Sequence, residues 1–354
     1  MRIIESNDRL QWEAVLRRCS GYDFYHLPTY NAMEAELSSC QAKLFVYEED
    51  DAVIALPVVI RPLAGIEGLN ENLGRYSDST SVYGYAGPVT NTNWENEGLN
   101  QRFADRLRAA LKEAGVISAF QRLHPLLNNH RGLALGEVVD IGYTISIDLT
   151  LPSDMAFTQY RARYRTDIRN ARKRGLRTIH DVNWTYFEFF QNIYKQTMDR
   201  VGASSQYYFD AAYFAGLRAA LGDSLHLFVV RLDDVILSAA LFTLVNGIVQ
   251  YHLGGTNPEY PEPSANKILF DDVRLWAKEA GASVLHLGGG LGARKDSLYQ
   301  FKSGFSDREH RFKIWRYVVD QTLYSLAESQ RRSWFEGRGQ TIDPAKSFPS
   351  YRVT

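Results

Sequence analysis

Residues 44–60 read Leu44-Phe45-Val46-Tyr47-Glu48-Glu49-Asp50-Asp51-Ala52-Val53-Ile54-Ala55-Leu56-Pro57-Val58-Val59-Ile60. Residues 227–244 read Leu227-Phe228-Val229-Val230-Arg231-Leu232-Asp233-Asp234-Val235-Ile236-Leu237-Ser238-Ala239-Ala240-Leu241-Phe242-Thr243-Leu244. Both open on Leu-Phe-Val, break at Asp-Asp and resume through Val-Ile. Apolar, β-branched runs on either side of a short acidic break predict a β-hairpin. The parallel continues outward. Val82–Gly87 and Val249–Gly255 read as a third strand ending in glycine. Helices are expected over Trp94–Ala114 and Ser264–Ala280. Their ends, Lys112-Glu113-Ala114-Gly115 and Lys278-Glu279-Ala280-Gly281, match, with glycine at the C′ position that stops a helix. Strands are expected again at Val116–Phe120 and Ser283–Leu287. A helix joining two strands makes a crossover, so those strands are read as parallel. The chain is therefore an internal repeat of α/β (α+β) type, each half a mixed sheet flanked by helices.

Helices precede each hairpin: Asp8–Arg18 and Pro28–Leu37 in the first half, and Thr158–Arg174, Trp184–Val201 and Phe209–Leu221 in the second. The expected domains are 1–150 and 151–330, with a polar tail over 331–354. The 354 residues are 45% hydrophobic and 23% charged, as in a folded globular protein, which excludes a disordered or collagen-like chain. A net charge of −1 gives no global sign of a nucleic-acid binder. Charge is uneven, however: between Arg161 and Arg177 there are eight Lys/Arg and one Asp. Cys19 and Cys40 sit in no CxxC pair, so neither a disulfide framework nor a metal site is expected. The N-terminus lacks the apolar core of a signal peptide, and no apolar run reaches the ~18 residues of a membrane span. The expected compartment is the cytoplasm.

Two helices, an antiparallel hairpin, then strand, helix and strand is the order of an acetyltransferase-like (GNAT) domain. Four stretches sharpen that resemblance: Tyr164-Arg165-Thr166-Asp167-Ile168-Arg169-Asn170-Ala171-Arg172-Lys173-Arg174-Gly175; Tyr251-His252-Leu253-Gly254-Gly255-Thr256; Asn266-Lys267-Ile268-Leu269 with Trp276-Ala277; and Leu287-Gly288-Gly289-Gly290 leading to Phe301-Lys302-Ser303-Gly304-Phe305. With them the chain resembles the FemABX-like peptidyltransferases and the related acetyltransferase-6 proteins. The resemblance implies two tandem GNAT-like domains and an acyltransferase. Its donor would be aminoacyl-tRNA or acyl-CoA, with no tightly bound cofactor, and it would form an amide on an amine of a cell-envelope (peptidoglycan or polysaccharide) precursor. The long helical arm of some members is missing, and no Q/R-x-x-G-x-G/A acyl-CoA loop is found. The alternatives are an acyl-CoA-dependent N-acyltransferase of exopolysaccharide or secondary-metabolite synthesis, and a non-catalytic binding module on a dual GNAT scaffold.

Acyl transfer to an amine requires loss of a proton, stabilisation of an oxyanion and alignment of two substrates. No Ser-His-Asp or Cys-His set is visible, so direct transfer is expected rather than an acyl-enzyme. Lys302, between Phe301 and Phe305, is the first catalytic candidate, as oxyanion stabiliser or phosphate holder; the family's Phe-Lys pair supports it. Tyr251 and His252 are proton-relay candidates, of which strand alternation lets only one face the cleft. Arg161, Arg165, Arg169 and Arg172 recur at i, i+4, i+8, i+11 and form a candidate phosphate-binding stripe. Tyr160, Tyr164, Ile168 and Ala171 should face inward. Phe301, Asn266, Tyr299, Arg294 and Tyr83 complete the substrate-binding candidates, with helix capping the competing role for Asn266. Partner classes in view are tRNA, a nucleotide- or lipid-linked envelope precursor, and peripheral contact with a membrane. The acceptor is expected in a groove between the two domains.

Overall fold

The structure, a computed structural model, describes residues 1–341, 343 and 347–353. The chain folds as two compact units, Met1–Ile141 with Phe312–Thr354, and Gly142–Arg311. In the first, strand β1 (Arg2–Glu5) and helices α1 (Arg9–Arg18) and α2 (Pro28–Leu37) lead into the hairpin β2 (Gln41–Glu49) and β3 (Ala52–Pro62). A single turn α3 (Glu71–Gly74), β4 (Ser77–Thr80), β5 (Val89–Thr90), α4 (Glu97–Glu113) and β6 (Val116–Arg122) follow. β7 (Glu137–Asp148) carries the chain into the second unit.

There, α5 (Ser153–Thr158), α6 (Ala162–Lys173), β8 (Arg177–His180), α7 (Phe187–Val201) and α8 (Ala211–Leu221) precede the hairpin β9 (Leu225–Leu232) and β10 (Val235–Val245). β11 (Ile248–Thr256), α9 (Ala265–Glu279), β12 (Val284–Gly288) and α10 (Ser297–Lys302) complete it. β13 (Glu309–Val318) returns to the first unit, which also holds α11 (Gln321–Glu336) and a turn at Ser350–Arg352.

The strands of the two units repeat one plan. The first runs β1-β2-β3-β4-β6-β13, the second β8-β9-β10-β11-β12-β7. In each, one parallel pair, β4/β6 or β11/β12, sits among antiparallel neighbours. The expected hairpins form around the acidic pairs: Glu49 faces Ala52 and Leu232 faces Val235. Asp50 and Asp233 both take a left-handed backbone, φ 51°, which Asp tolerates better than most residues.

Three expectations are corrected. Domain boundaries at 150 and 330 do not match the units. The second half of β7 pairs with β12, so residues 142–150 go with the second unit, while β13 pairs with β6 and takes 312–330 into the first. The stretch from 331 is not simply a polar tail. Residues 331–336 are helical, and Tyr351 is buried against Tyr324; residues 342, 344–346 and 354 of that expected tail lie outside the described residues. The third strand of the first half is Ser77–Thr80 rather than Val82–Gly87. Gly84 (φ 117°) is bent against Tyr25, where a Cβ would come within 1.9 Å of the ring, and that bend leaves only a bridge from Ala86 to Leu123.

The core of the second unit decides the site. Ile168 and Ala171 of α6 and Ile268, Leu269 and Val273 of α9 pack on Phe228, Phe242, Val249 and Leu285. The helix expected over Thr158–Arg174 is broken at 159–161 into α5 and α6. Tyr160, Ile168 and Ala171 are buried as expected, and Tyr164 is half-buried.

Candidate active site

The parallel pair β11/β12 lasts three residues. Its last partners are Gln250 and His286, after which β11 continues along β10 alone and β12 ends at Gly288. A fork between two strands leaves backbone groups without ladder partners, the situation in which a substrate can be held by main chain. Gln250 and His286, buried at 1% and 0% exposure, are linked Oε1 to Nδ1 at 2.6 Å. Both interrupt otherwise apolar strands, Ile248-Val249-Gln250 and Val284-Leu285-His286-Leu287. That interruption was the available signal, and sequence reasoning passed over it.

Lys302 stands beside the fork. Its side chain is 5% exposed, and its Nζ donates to the Gly289 carbonyl at 2.7 Å, just past the end of β12. The same Nζ lies 5.2 Å from the centre of the Tyr251 ring. Burial pushes the Lys302 amine down to about 7, against the weaker opposing field of Asp296. A desolvated ammonium loses its hydration, so the neutral amine gains ground.

Its position is fixed by a short clamped helix. Asp296 caps α10, accepting from Tyr299 N at 2.9 Å and from Leu291 N at 2.8 Å. At the other end Arg161 donates to the Gln300 carbonyl at 3.0 Å and to Ser303 Oγ at 2.8 Å. A cation at a helix C-terminus satisfies its orphan carbonyls. Phe301, half-buried, packs on Tyr164, Phe270 and Phe305.

A β-bulge separates Tyr251 from His252. Phe242 faces Tyr251 while Leu241 faces Leu253, which leaves His252 as the extra residue. Tyr251 turns to the α9 side, on Phe242 and Phe270. Its phenol is pushed up to about 12 by burial and keeps its proton. Gly254 makes room for it: a Cβ there would sit 2.3 Å from Tyr251 Oη. His252 lies 3.3 Å, Nε2 to Oη, from Tyr213 of α8, and burial lowers it to about 3. The structure thus brings Tyr251 to Lys302 and does not bring His252 there.

The arginine stripe is corrected. Arg161 holds α10. Arg165 donates to the carbonyls of Thr158, at 2.9 Å, and Tyr160. Arg172 pairs with Asp271 at 2.8 Å and Asp272 at 2.5 Å. Arg169 lies over Phe157 at 5.4 Å. Three of the four are therefore structural ties between helices, a use that helical spacing cannot reveal.

Asn266 is the second residue of α9 and makes no cap; Ser264 is at the N-cap, without a side-chain bond. The preceding loop, Asn257-Pro258-Glu259-Tyr260-Pro261-Glu262-Pro263-Ser264, has three prolines and so three missing N–H donors. The N–H groups of Asn257, Glu259 and Ser264 are bound internally, the last to Glu262 Oε1 at 2.9 Å. Glu262 also pairs with Arg174 at 2.7 Å, which holds its carboxyl below the usual range. The chain's own carboxylate therefore occupies the start of α9.

Tyr299 is 6% exposed and bonded to Glu309, which removes it from the site. Arg294 is exposed and donates to the Leu291 carbonyl at 3.4 Å. Tyr83 belongs to the first unit, where its N–H donates to Glu34 Oε2 at 3.2 Å and its carbonyl accepts from Tyr30 at 3.0 Å.

Comparison with known proteins places this geometry. Residues 158–303 match the family model described as acetyltransferase (GNAT) domain. FemX, in its crystal structure, superposes with a TM-score of 0.71 at 16% identity, covering 92% of this chain and 99% of FemX. The C-terminal domain of a putative lysylphosphatidylglycerol synthetase from Agrobacterium fabrum gives 0.54 at 16% identity, over 88% of this chain and 92% of that domain. L-PGS from Bacillus licheniformis gives 0.53 at 14%, over 92% and 96%. No curated protein sequence matches the chain. Residues 158–303 thus resemble an acetyltransferase (GNAT) domain, and the chain as a whole has a FemX-like fold built of two repeated α/β units.

Proposed function

We propose that the second unit transfers an aminoacyl group from an ester donor, aminoacyl-tRNA, to an amine of a cell-envelope precursor, with Lys302 at the reaction centre. The carrying observation is a lysine 5% exposed beside a strand fork with its amine brought to about 7. A base poised near the working pH is the efficient one for proton transfer. The neutral Nζ takes the proton that the acceptor nitrogen loses as its bond to the carbonyl carbon forms. The resulting ammonium stands by the oxyanion of the tetrahedral intermediate. As the carbon–oxygen bond breaks, the proton passes to the leaving oxygen and the neutral amine is restored. Tyr251, protonated throughout, is a hydrogen-bond donor for the same oxyanion. His252 has no role in this scheme.

The loop before α9 favours the aminoacyl donor over acyl-CoA. A diphosphate would need the N–H groups that three prolines lack and would meet the Glu262 carboxylate. One fold relative is by name the C-terminal domain of a putative lysylphosphatidylglycerol synthetase, which agrees with aminoacyl transfer. Assays offering charged tRNA and acyl-CoA in parallel, with envelope precursors bearing a free amine, test the reading. Transfer from charged tRNA alone is the expected result; transfer from acyl-CoA alone would overturn the donor assignment.

A further inference from the structure

The fork opens at one rung, and each strand leaves that rung through a bulge. β11 shifts register against β10 at His252, and β12 shifts against β7 at Leu287, between the paired residues His286 and Gly288. The last rung that β11 and β12 share is Gln250 with His286; the one before it is Val249 with Leu285. Buried parallel strands usually read as apolar runs. Here the final rung instead carries an amide and an imidazole, both shut away from water. Their bond at 2.6 Å joins His286 Nδ1 to Gln250 Oε1. A carbonyl oxygen only accepts, so Nδ1 carries the proton and donates it. His286 also faces Ser146 of β7, whose Oγ is bonded to His310 Nε2 at 2.7 Å.

The two walls around the Lys302 amine both start from this rung. On one side Tyr251, next to Gln250, has its ring centre 5.2 Å from Nζ. On the other, Gly289, three residues past His286, accepts from Nζ at 2.7 Å through its carbonyl. Gly289 has little freedom of its own, since a Cβ there would lie 2.5 Å from the Tyr143 carbonyl. A pin between Gln250 and His286 therefore sets the span between the two groups that touch Nζ.

We propose that Gln250 and His286 are positioning residues whose hydrogen bond fixes the opening of the fork and so keeps the Lys302 amine out of water. They act through Tyr251 and Gly289 and do not touch the reacting atoms. For turnover this rests on the acyl-transfer reading; the titration of Lys302 is read without any substrate.

Asparagine places its amide nitrogen where imidazole carries Nδ1, and glutamine places it where Nε2 lies. His286→Asn should keep the bond and His286→Gln should lose it, while Gln250→Leu loses it from the other strand. Carbon-13 lysine spectra of the full chain follow Lys302 in each variant. Burial is the main cause of its low value, so a loosened fork that admits water should move the midpoint from about 7 to about 8 or above in His286→Gln and Gln250→Leu. His286→Asn should stay near the native midpoint, and the limb of kcat/KM should move with the midpoint in all three. Folded His286→Gln and Gln250→Leu variants that melt lower yet keep the native Lys302 midpoint would overturn the proposal. Should they not fold, the native chain decides: nitrogen-15 spectra of the His286 ring should show Nδ1 protonated at neutral pH, and a proton on Nε2 alone would overturn it. A midpoint that moves with the rung in a chain that transfers no acyl group would uphold the positioning and remove the acyl-transfer reading.

Discussion

At the scale of the residue, the proposed chemistry rests on Lys302 and Tyr251. Lys302→Met should cut turnover more than about tenfold, or about 1.4 kcal/mol of transition-state stabilisation. Lys302→Arg is the sharper variant, since arginine keeps the cation and cannot act as a base. It should lose turnover as severely as methionine; near-native turnover would make Lys302 an electrostatic residue only. In the native protein kcat/KM should rise as pH passes about 7, the Lys302 value, and that limb should vanish in both variants.

Stability should also rise with pH. Lys302 binds its proton more weakly folded, about 7, than its ordinary value of 10.5. Between those pH values the unfolded chain holds more protons, so stability rises with pH through the window and the burden is greatest below it. Lys302→Met should therefore melt above the native protein at pH 7, by a margin that shrinks toward pH 10; a lower melting temperature at pH 7 would contradict the buried, desolvated amine. Gly254→Ala should displace the Tyr251 phenol and lower turnover with little effect on tRNA binding. Lys302 stood out in the sequence from its aromatic neighbours and from the Phe-Lys pair of the family it resembles, and the structure buries it beside the fork. The divergence of Tyr251 and His252 was not, because the bulge that separates them depends on the facing strand β10.

At the scale of the element, the hairpins, α4, α9 and their glycine stops were legible because each rests on local letters. The arginines of α6 were misread for the converse reason. The partners of Arg161 and Arg172, namely Gln300, Ser303, Asp271 and Asp272, lie about a hundred residues or more along the chain. Arg161→Ala removes the cation from the C-terminus of α10 and should loosen Lys302 without touching substrate. The expected signature is a lower kcat with the pH limb kept, and rescue by Arg161→Lys only in part, since lysine lacks the fork that spans Gln300 and Ser303. An unchanged kcat would show that α10 is held by Asp296 and its aromatic neighbours alone.

At the scale of the whole molecule, the repeat is one of topology as well as of letters. The six-strand orders correspond strand for strand, each with one parallel pair. The unit boundaries were hidden because the sixth strand of each unit comes from outside the repeated stretch: β7 precedes the second hairpin, and β13 comes after β12 and α10. Ending the chain at Arg311 should therefore strip β6 of its outer neighbour. Amide exchange should become fast over residues 116–122 while 284–288 stay protected; uniform protection of both would contradict the pairing of β13 with β6.

The central claim concerns one proton, and it can be tested without knowing either substrate. Labelling lysine side chains with carbon-13 and following the Lys302 Cε resonance from pH 5 to pH 11, with Lys302→Met for assignment, measures that proton directly. A midpoint near 7 is the result this account predicts. A Lys302 that stays charged until about pH 10, like a surface lysine, would contradict it.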